Sequence, residues 1–145
     1  MLKLKLPFPI SANRYWQIVG KRLIKTKQAR AFISDVVFCW LSEKAKGAKS
    51  FKENDYLALS VAVFYPVRRG PDVDLDNLCK VLIDAMETAG IYQNDNQIRF
   101  IQISREEAKD KTIGSVRVNI KSCPHEMVLN DRNFRVEEVH NDGEK

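Results

Sequence analysis

Two segments of the chain repeat their apolar residues with the period of an amphipathic helix. In residues 27–46 and again in residues 75–89, apolar side chains recur three or four positions apart. These spacings place the side chains on one face of an α-helix, and that face packs against a core. A glycine follows each segment, Gly47 and Gly90, as is common just past the end of a helix. The pattern predicts two helices, each with one buried face.

Four other segments have the pattern of β-strands. Residues 2–6 alternate strictly between leucine and lysine, and residues 98–104 and 116–121 alternate more loosely. Residues 56–65 are apolar almost throughout, as in a strand with both faces covered, so we expect them to form a central strand. Residues 10–26 show neither period and are expected to form a loop.

The order strand, helix, strand, helix, strand, strand predicts an α+β fold that is α/β-like. We expect a mixed β-sheet of about four strands with two main helices packed on one face. A length of 145 residues is enough for one such core and favours a single domain.

The charge of the chain changes near its C-terminal end. Residues 1–125 carry 21 basic and 13 acidic side chains, whereas residues 126–145 carry three and six. We therefore predict a folded domain over residues 1–122. Residues 123–145 are expected to form an acidic tail that is poorly packed or contacts a partner.

Cysteine spacing and hydropathy indicate where the protein works. The three cysteines form no C-x-x-C pair, which favours reduced thiols over disulfides or a zinc ribbon. The sequence has neither an apolar run long enough to span a bilayer nor a signal-peptide pattern. We expect a soluble, cytoplasmic protein with no membrane partner.

The N-terminal segment is basic and contains aromatic residues. The first thirty residues carry eight basic side chains and no acid, which favours a polyanionic partner such as nucleic acid. Tyr15 and Trp16 lie among these charges. Two interpretations stay open for them: they pack the loop onto the domain, or they stack on exposed bases while Arg14, Lys21 and Arg22 contact phosphates.

Two further basic residues lie between the central strand and the second helix. Arg68 and Arg69 follow the strand and precede a Gly-Pro turn. They either keep the strand end in solvent or contact phosphates, and the acidic residues next to them favour phosphate contact. The candidates for nucleic-acid contact are Arg14, Tyr15, Trp16, Lys21, Arg22, Arg68 and Arg69, together with Asn13, which precedes Arg14 in the same loop.

The start of the second helix gathers carboxylates. Asp72, Asp74 and Asp76 stand at alternate positions, Lys80 follows one turn later, and Asp95 lies in a turn beyond the helix. Asp74 or Asp76 can cap the helix. A helix N-terminus stabilises a carboxylate by only about 0.3–1 kcal/mol, however. Three adjacent negative charges therefore favour a bound cation.

Several kinds of site share this pattern. An EF-hand loop is excluded, because it needs glycine at the sixth position and glutamate at the twelfth, where this chain has Asn77 and Ile83. A solvated, well-capped helix start stays open, as does the Asp-x-Asp motif of a nucleotide-sugar transferase. A magnesium site for phosphodiester cleavage accounts best for the carboxylates together with Lys80.

Three motifs together resemble the RusA family of Holliday junction resolvases. They are P-I-S-A-N-R-Y-W at residues 9–16, P-D-V-D-L-D-N-L-C-K at residues 71–80 followed by D-A at residues 84–85, and N-D-N-Q-I at residues 94–98. The resemblance extends from about residue 2 to residue 120.

The resemblance implies a Mg²⁺-dependent homodimeric endonuclease without a nucleotide cofactor, encoded by a bacterium or a phage. It would bind four-way DNA junctions and nick two opposed strands in recombination and repair. Asp74, Asp76 and Asp95 correspond to the metal-binding carboxylates of the family and Lys80 to its catalytic lysine. Family members often have an acid where this chain has Asn94.

Two other functions stay open from the sequence. One is a less selective nuclease of flaps or other branched DNA. The other is a DNA-binding protein without catalysis, in which the carboxylates only cap the helix.

Overall fold

The computed structural model describes residues 1–66, 74–108 and 113–123. Arg68, Arg69 and Asp72 lie outside the described residues, as does the predicted tail after Cys123. The described strands and helices, in chain order, are β1 (Leu2–Pro7), β2 (Trp16–Val19), β3 (Arg22–Lys25), α1 (Lys27–Ala45), β4 (Tyr56–Tyr65), α2 (Leu75–Thr88), β5 (Ile98–Glu107) and β6 (Ser115–Cys123).

Four of the described strands form a mixed sheet in the order β1-β6-β4-β5. β4 is parallel to β5 and antiparallel to β6, and β1 is antiparallel to β6. The apolar run 56–65 is therefore an interior strand, and the expected α+β class with a mixed sheet of about four strands is confirmed. Since β4 and β5 are parallel, α2 crosses back along the sheet between them.

One face of the sheet forms the core with the two helices. β4 contributes alternate residues to the core, Leu57, Leu59, Val61 and Val63. α1 packs against β1 and α2, and α2 packs against β5. Of the positions that the periodicity predicted, the helices bury Ala29, Phe32, Val36 and Trp40 on α1, and Leu78, Leu82, Ala85 and Met86 on α2. Val81 is buried as well, whereas Leu41 of the predicted stripe is exposed.

Gly90 ends α2 as the sequence predicted. It has a φ of +83°, a conformation that glycine adopts without the steric strain of a side chain. Its N–H donates to the carbonyl of Glu87, and the N–H of Ile91 donates to that of Met86. These bonds satisfy the last carbonyls of the helix and turn the chain toward Asp95.

The segment expected to be a loop, residues 10–26, is instead ordered into a short 3₁₀ turn (Ala12–Arg14) and a two-stranded hairpin. Gly20, with a φ of +63°, forms the turn between β2 and β3. The prediction of a loop was wrong because it relied on alternation of apolar and polar residues. Every residue of β2 is exposed, so neither face of this strand had to be apolar for burial.

The three cysteines are free thiols, as expected. Among the residues that the structure describes, no helix is both long enough and apolar enough to cross a membrane.

Candidate active site and nucleic-acid interface

Asp74 and Asp76 lie at the start of α2 with exposed side chains. Asp74 is the N-cap residue, and its backbone carbonyl accepts a hydrogen bond from the Leu78 N–H at 3.2 Å. Its side chain accepts none of the cap hydrogen bonds. The side-chain capping that the sequence allowed is thus absent at Asp74, and its carboxylate oxygens are not used to stabilise the helix.

This end of α2 lies next to the carboxyl end of β4, where Tyr65 is the last strand residue. Burial raises the pKa of Tyr65, the nearby Arg105 opposes the rise, and the carboxylate of Asp74 adds to it. The carboxyl ends of parallel strands are frequent ligand-binding positions in open sheets that contain them.

Arg105 is a candidate functional residue that was not predicted from the sequence. Its guanidinium lies 4.0 Å from the centroid of the Tyr65 ring. The strand predicted from the sequence ended at residue 104, before Arg105, whereas β5 continues to Glu107. The pairing of β5 with β4 brings Val63 opposite Arg105, so the arginine reaches the same end of the sheet as Asp74. Only the pairing register carries this information.

Lys80 is exposed and lies one turn after Asp76, so the two side chains share one side of α2. Cys79, between them in the sequence, is partly buried. Burial raises the pKa of its thiol, and the Asp76 carboxylate adds to the rise. The raised pKa favours the neutral thiol over a thiolate.

Asp95 begins a second 3₁₀ turn, Asp95–Gln97. The buried side chain of Gln97 holds this turn. Its Oε1 accepts two backbone N–H groups at 3.0 and 3.1 Å, and its Nε2 donates to the carbonyls of Lys52 and Asp55 at 2.7 and 3.0 Å. All four hydrogen-bonding positions of this buried amide are used, so the turn that presents Asp95 is tied to the loop before β4.

Asn94 is the N-cap of this turn. Its Oδ1 accepts the backbone N–H of Asn96 at 2.9 Å. An aspartate could accept the same bond, so asparagine retains the capping interaction without a further negative charge.

The third aspartate lies far from the first two within one chain. Burial raises the pKa of Glu87 near the end of α2, and the carboxylates of Asp95 and Asp84 add to the rise. Asp95 is therefore close to the C-terminal half of a helix of 14 residues, which is about 20 Å long, while Asp74 lies at its start. Among the described residues, no three His, Cys, Asp or Glu side chains are grouped closely enough to hold a metal ion.

Tyr15 attaches the N-terminal segment to α2. Its side chain is only 2% exposed, and its hydroxyl donates to Asp84 Oδ2. Burial raises the pKa of Tyr15, and the hydrogen bond with Asp84 adds to the rise. Lys25 forms an ion pair with the same carboxylate at 3.3 Å. Of the two interpretations left open for Tyr15, its contacts favour packing.

Trp16 differs from its neighbour because it is 43% exposed. Its ring meets that of Tyr15 edge to face at a centroid distance of 5.3 Å. The Lys25 ammonium lies 5.7 Å from the centroid of the Trp16 ring. Trp16 is thus held on one side by protein and has surface left for another ligand.

The other polar candidates of this region surround the hairpin. Asn13 and Arg14 precede it in the 3₁₀ turn, and Lys21 and Arg22 lie at its tip. All four side chains are exposed. Sequence reasoning missed Lys25 and Asp84, which join this basic segment to α2; their distance of 59 residues along the chain left no local pattern that could reveal the pair.

Comparisons with known proteins identify the family of the chain. Residues 7–121 match the family described as Endodeoxyribonuclease RusA. The chain is also 32% identical over 108 residues to a protein of Aquifex aeolicus (strain VF5) named Crossover junction endodeoxyribonuclease RusA, an alignment that covers 74% of this chain and 79% of the relative. The chain belongs to the RusA endodeoxyribonuclease family.

Proposed function

We propose that this endodeoxyribonuclease resolves four-way DNA junctions by paired nicks in opposed strands, acting with Mg²⁺ in the recombination and repair of a bacterial or phage genome. The observation that carries the proposal is the side of α2 that contains Asp76, Lys80 and Asp84, each four residues from the next. On this side of the helix, the exposed Asp76 and Lys80 are followed by Asp84, which binds Tyr15 and Lys25 at the base of the basic hairpin.

The proposed metal ligands are Asp74, Asp76 and Asp95. Exposed carboxylate oxygens are the donors that Mg²⁺ prefers, and the Asp74 side chain is not occupied in capping. The ion, when bound, polarises the scissile phosphate and lowers the pKa of a bound water. Lys80 supplies positive charge where negative charge develops during cleavage, or it orients the attacking water.

A homodimer supplies a way to complete this ligand set. About one helix length separates Asp95 from the other two aspartates within a chain. A two-fold axis that places Asp95 of the partner subunit beside Asp74 and Asp76 would create two equivalent sites. Two symmetric sites fit a substrate in which two opposed strands are cut.

The proposed DNA surface is the hairpin and the 3₁₀ turn before it. Arg14, Lys21 and Arg22 are exposed and are assigned to phosphates, with Asn13 beside them, whereas Trp16 is assigned to base stacking. Tyr15 attaches this surface to α2 through the hydrogen bond from its hydroxyl to Asp84. Arg68 and Arg69 stay proposed phosphate contacts from their place in the sequence.

The test is cleavage of an end-labelled four-way junction and of a linear duplex of the same sequence, with Mg²⁺ and with chelator. We expect paired nicks near the crossover of the junction alone, absent with chelator. Asp76→Asn is expected to abolish cutting while junction binding is retained. Asp35→Asn, which removes an exposed carboxylate from α1, is the matched control and should cut like the wild type.

Three outcomes would contradict parts of the proposal. Cutting of duplex and junction at equal rates would indicate a general or branched-DNA nuclease. Retained cleavage by Asp76→Asn would remove this residue from the site. Binding without cutting under all conditions would indicate a DNA-binding protein whose carboxylates serve only the helix.

A further inference from the structure

The hairpin formed by β2 and β3 has an apolar outer face. Ile18 pairs with Leu23 across the two strands, and Trp16 lies two residues before Ile18, so these three side chains point to the same side. Ile18 is 77% exposed and Leu23 is 62% exposed. Adjacent large apolar side chains with this exposure are typical of a binding surface and uncommon on a surface that stays in water.

The charges around this face identify its partner. Arg14, Lys21 and Arg22 surround the hairpin, and no acid occurs in the first thirty residues. A second copy of the same hairpin would bring these like charges together, which opposes self-association through this face. A polyanion with exposed apolar rings satisfies both features, and DNA with unstacked bases is such a partner.

The hairpin is held firmly at its base. The Thr26 N–H donates to the Tyr15 carbonyl at 3.0 Å, and Thr26 Oγ1 donates to the Arg14 carbonyl at 2.6 Å. Tyr15 and Lys25, at the two ends of the hairpin, both contact the carboxylate of Asp84 on α2. Unstacking a base step requires a few kcal/mol, so a protein element that does this needs rigid support of this kind.

We propose that Trp16, Ile18 and Leu23 form a wedge that enters the branch point of a four-way junction and unstacks the bases there. The proposal rests on the proposed junction-resolving function and extends it. A wedge that enters a continuous duplex has to unstack a base step first, whereas the exchange of strands at a branch point interrupts the continuous stack of those strands. The wedge therefore gives the enzyme its preference for junctions, and Arg14, Lys21 and Arg22 hold the phosphates beside it.

The experiment places 2-aminopurine, whose fluorescence rises when it is unstacked, at the branch point of a four-way junction and in a linear duplex. The full chain is added in chelator, so that no cutting occurs. We compare wild type with the double variant Ile18→Ser, Leu23→Ser. The matched control is Phe38→Ser, Leu41→Ser, which removes two exposed apolar side chains from α1.

We expect the wild type and the control to raise the fluorescence of the junction several-fold and that of the duplex little. The wedge variant should lose most of the rise, and its junction affinity should fall about tenfold toward the duplex value, a change of about 1.4 kcal/mol. The single variant Ile18→Ser should give an intermediate loss, which guards against a folding defect in the double variant.

Two results would overturn the wedge and leave the resolvase function intact. One is a wild type that binds and cuts junctions without raising the fluorescence. The other is a wedge variant whose fluorescence and affinity equal those of the control. A wild type that neither binds nor cuts junctions in Mg²⁺ would instead refute the function on which the wedge rests.

Discussion

The two ends of α2 both carry acidic residues, but among the residues that the structure describes only the C-terminal half has an acid with a hydrogen-bond donor and an ion-pair partner. In the C-terminal half, Asp84 accepts the Tyr15 hydroxyl and pairs with Lys25 at 3.3 Å. At the N-terminal end, Asp74 and Asp76 are exposed, and the side chain of Asp74 makes no cap bond.

This difference separates acids that stabilise the fold from acids available to a ligand. A carboxylate that receives a buried hydroxyl orders the residues around it, and its removal leaves that hydroxyl without a partner. Adjacent exposed carboxylates repel each other, and a cation from outside the chain removes the repulsion. The contrast therefore assigns a structural role to Asp84 and supports a metal-binding role for Asp74 and Asp76.

The largest expected effect comes from mixing two inactive variants. Asp76→Asn and Asp95→Asn should each abolish cleavage. If each site takes Asp76 from one subunit and Asp95 from the other, a heterodimer has one site with both substitutions and one with neither. We expect the mixture to regain nicking of single strands at the junction, measured on end-labelled DNA after subunit exchange.

The control for this experiment is a mixture of Asp74→Asn with Asp76→Asn. Both residues lie at the same end of α2, so every site of the heterodimer would lack one of them. This mixture should stay inactive. Inactivity of the Asp76→Asn and Asp95→Asn mixture, with exchange verified, would contradict a site shared between subunits.

The second prediction compares stability at the two ends of the helix. Asp84→Ala leaves the buried hydroxyl of Tyr15 without its acceptor and should lower the free energy of unfolding by about 1–3 kcal/mol. Asp76→Ala removes a solvated carboxylate and should change it by about 0.5 kcal/mol or less. Urea titration measures both variants.

A double-mutant cycle assigns the effect to the proposed contact. Tyr15→Phe should destabilise the wild type more than it destabilises Asp84→Ala, because the hydrogen bond is already absent there. Additive changes would show that the two side chains stabilise the fold independently.

A smaller effect is expected at the turn of the hairpin. A Cβ at Gly20 would meet no atom within 4 Å, but its φ is +63°. Gly20→Ala should therefore weaken the hairpin by about 1 kcal/mol through backbone strain alone. Gly20→Asn should be milder, because asparagine tolerates this conformation. Amide exchange in residues 16–25 measures the effect. Exchange should be faster in Gly20→Ala than in Gly20→Asn, and equal exchange in the two variants would argue against backbone strain.

The smallest effect concerns the salt dependence of junction binding. Arg14→Ala and Arg22→Ala should each reduce the slope of log K against log salt concentration by up to about 0.9, because each removes one proposed phosphate contact. Lys44→Ala, at an exposed basic residue near the other end of α1, serves as the control and should leave the slope unchanged. Unchanged slopes in all variants would remove the hairpin from the DNA surface.

Local sequence patterns determined most of the fold. The helical periods of α1 and α2 and the apolar run of β4 are properties of consecutive residues. The predicted ends of the two helices and of the four strands of the main sheet therefore lie within three residues of the observed ends. The hairpin was missed because each of its strands has only 4 residues, too few for alternation to stand out in a segment without an overall period.

The motifs around Asp74, Asp76, Lys80 and Asp95 are likewise local, and they led to the RusA family from the sequence alone. The distances between these motifs were not available from the sequence. The predicted helix already placed Asp74 at its start and Asp95 beyond its end. Only the parallel pairing of β4 with β5 shows that the chain does not fold back to bring Asp95 beside Asp74.

Only the tertiary structure decided which side chains have partners within the chain. Tyr15 and Trp16 are neighbours of similar chemistry, yet one is buried against Asp84, 69 residues away, and the other stays exposed. Hydrogen bonds and burial depend on groups brought together by the whole fold. The sequence by itself thus determined the two helices, the four strands of the main sheet and the family, and the packing of distant residues decided which acids and aromatic rings remain exposed.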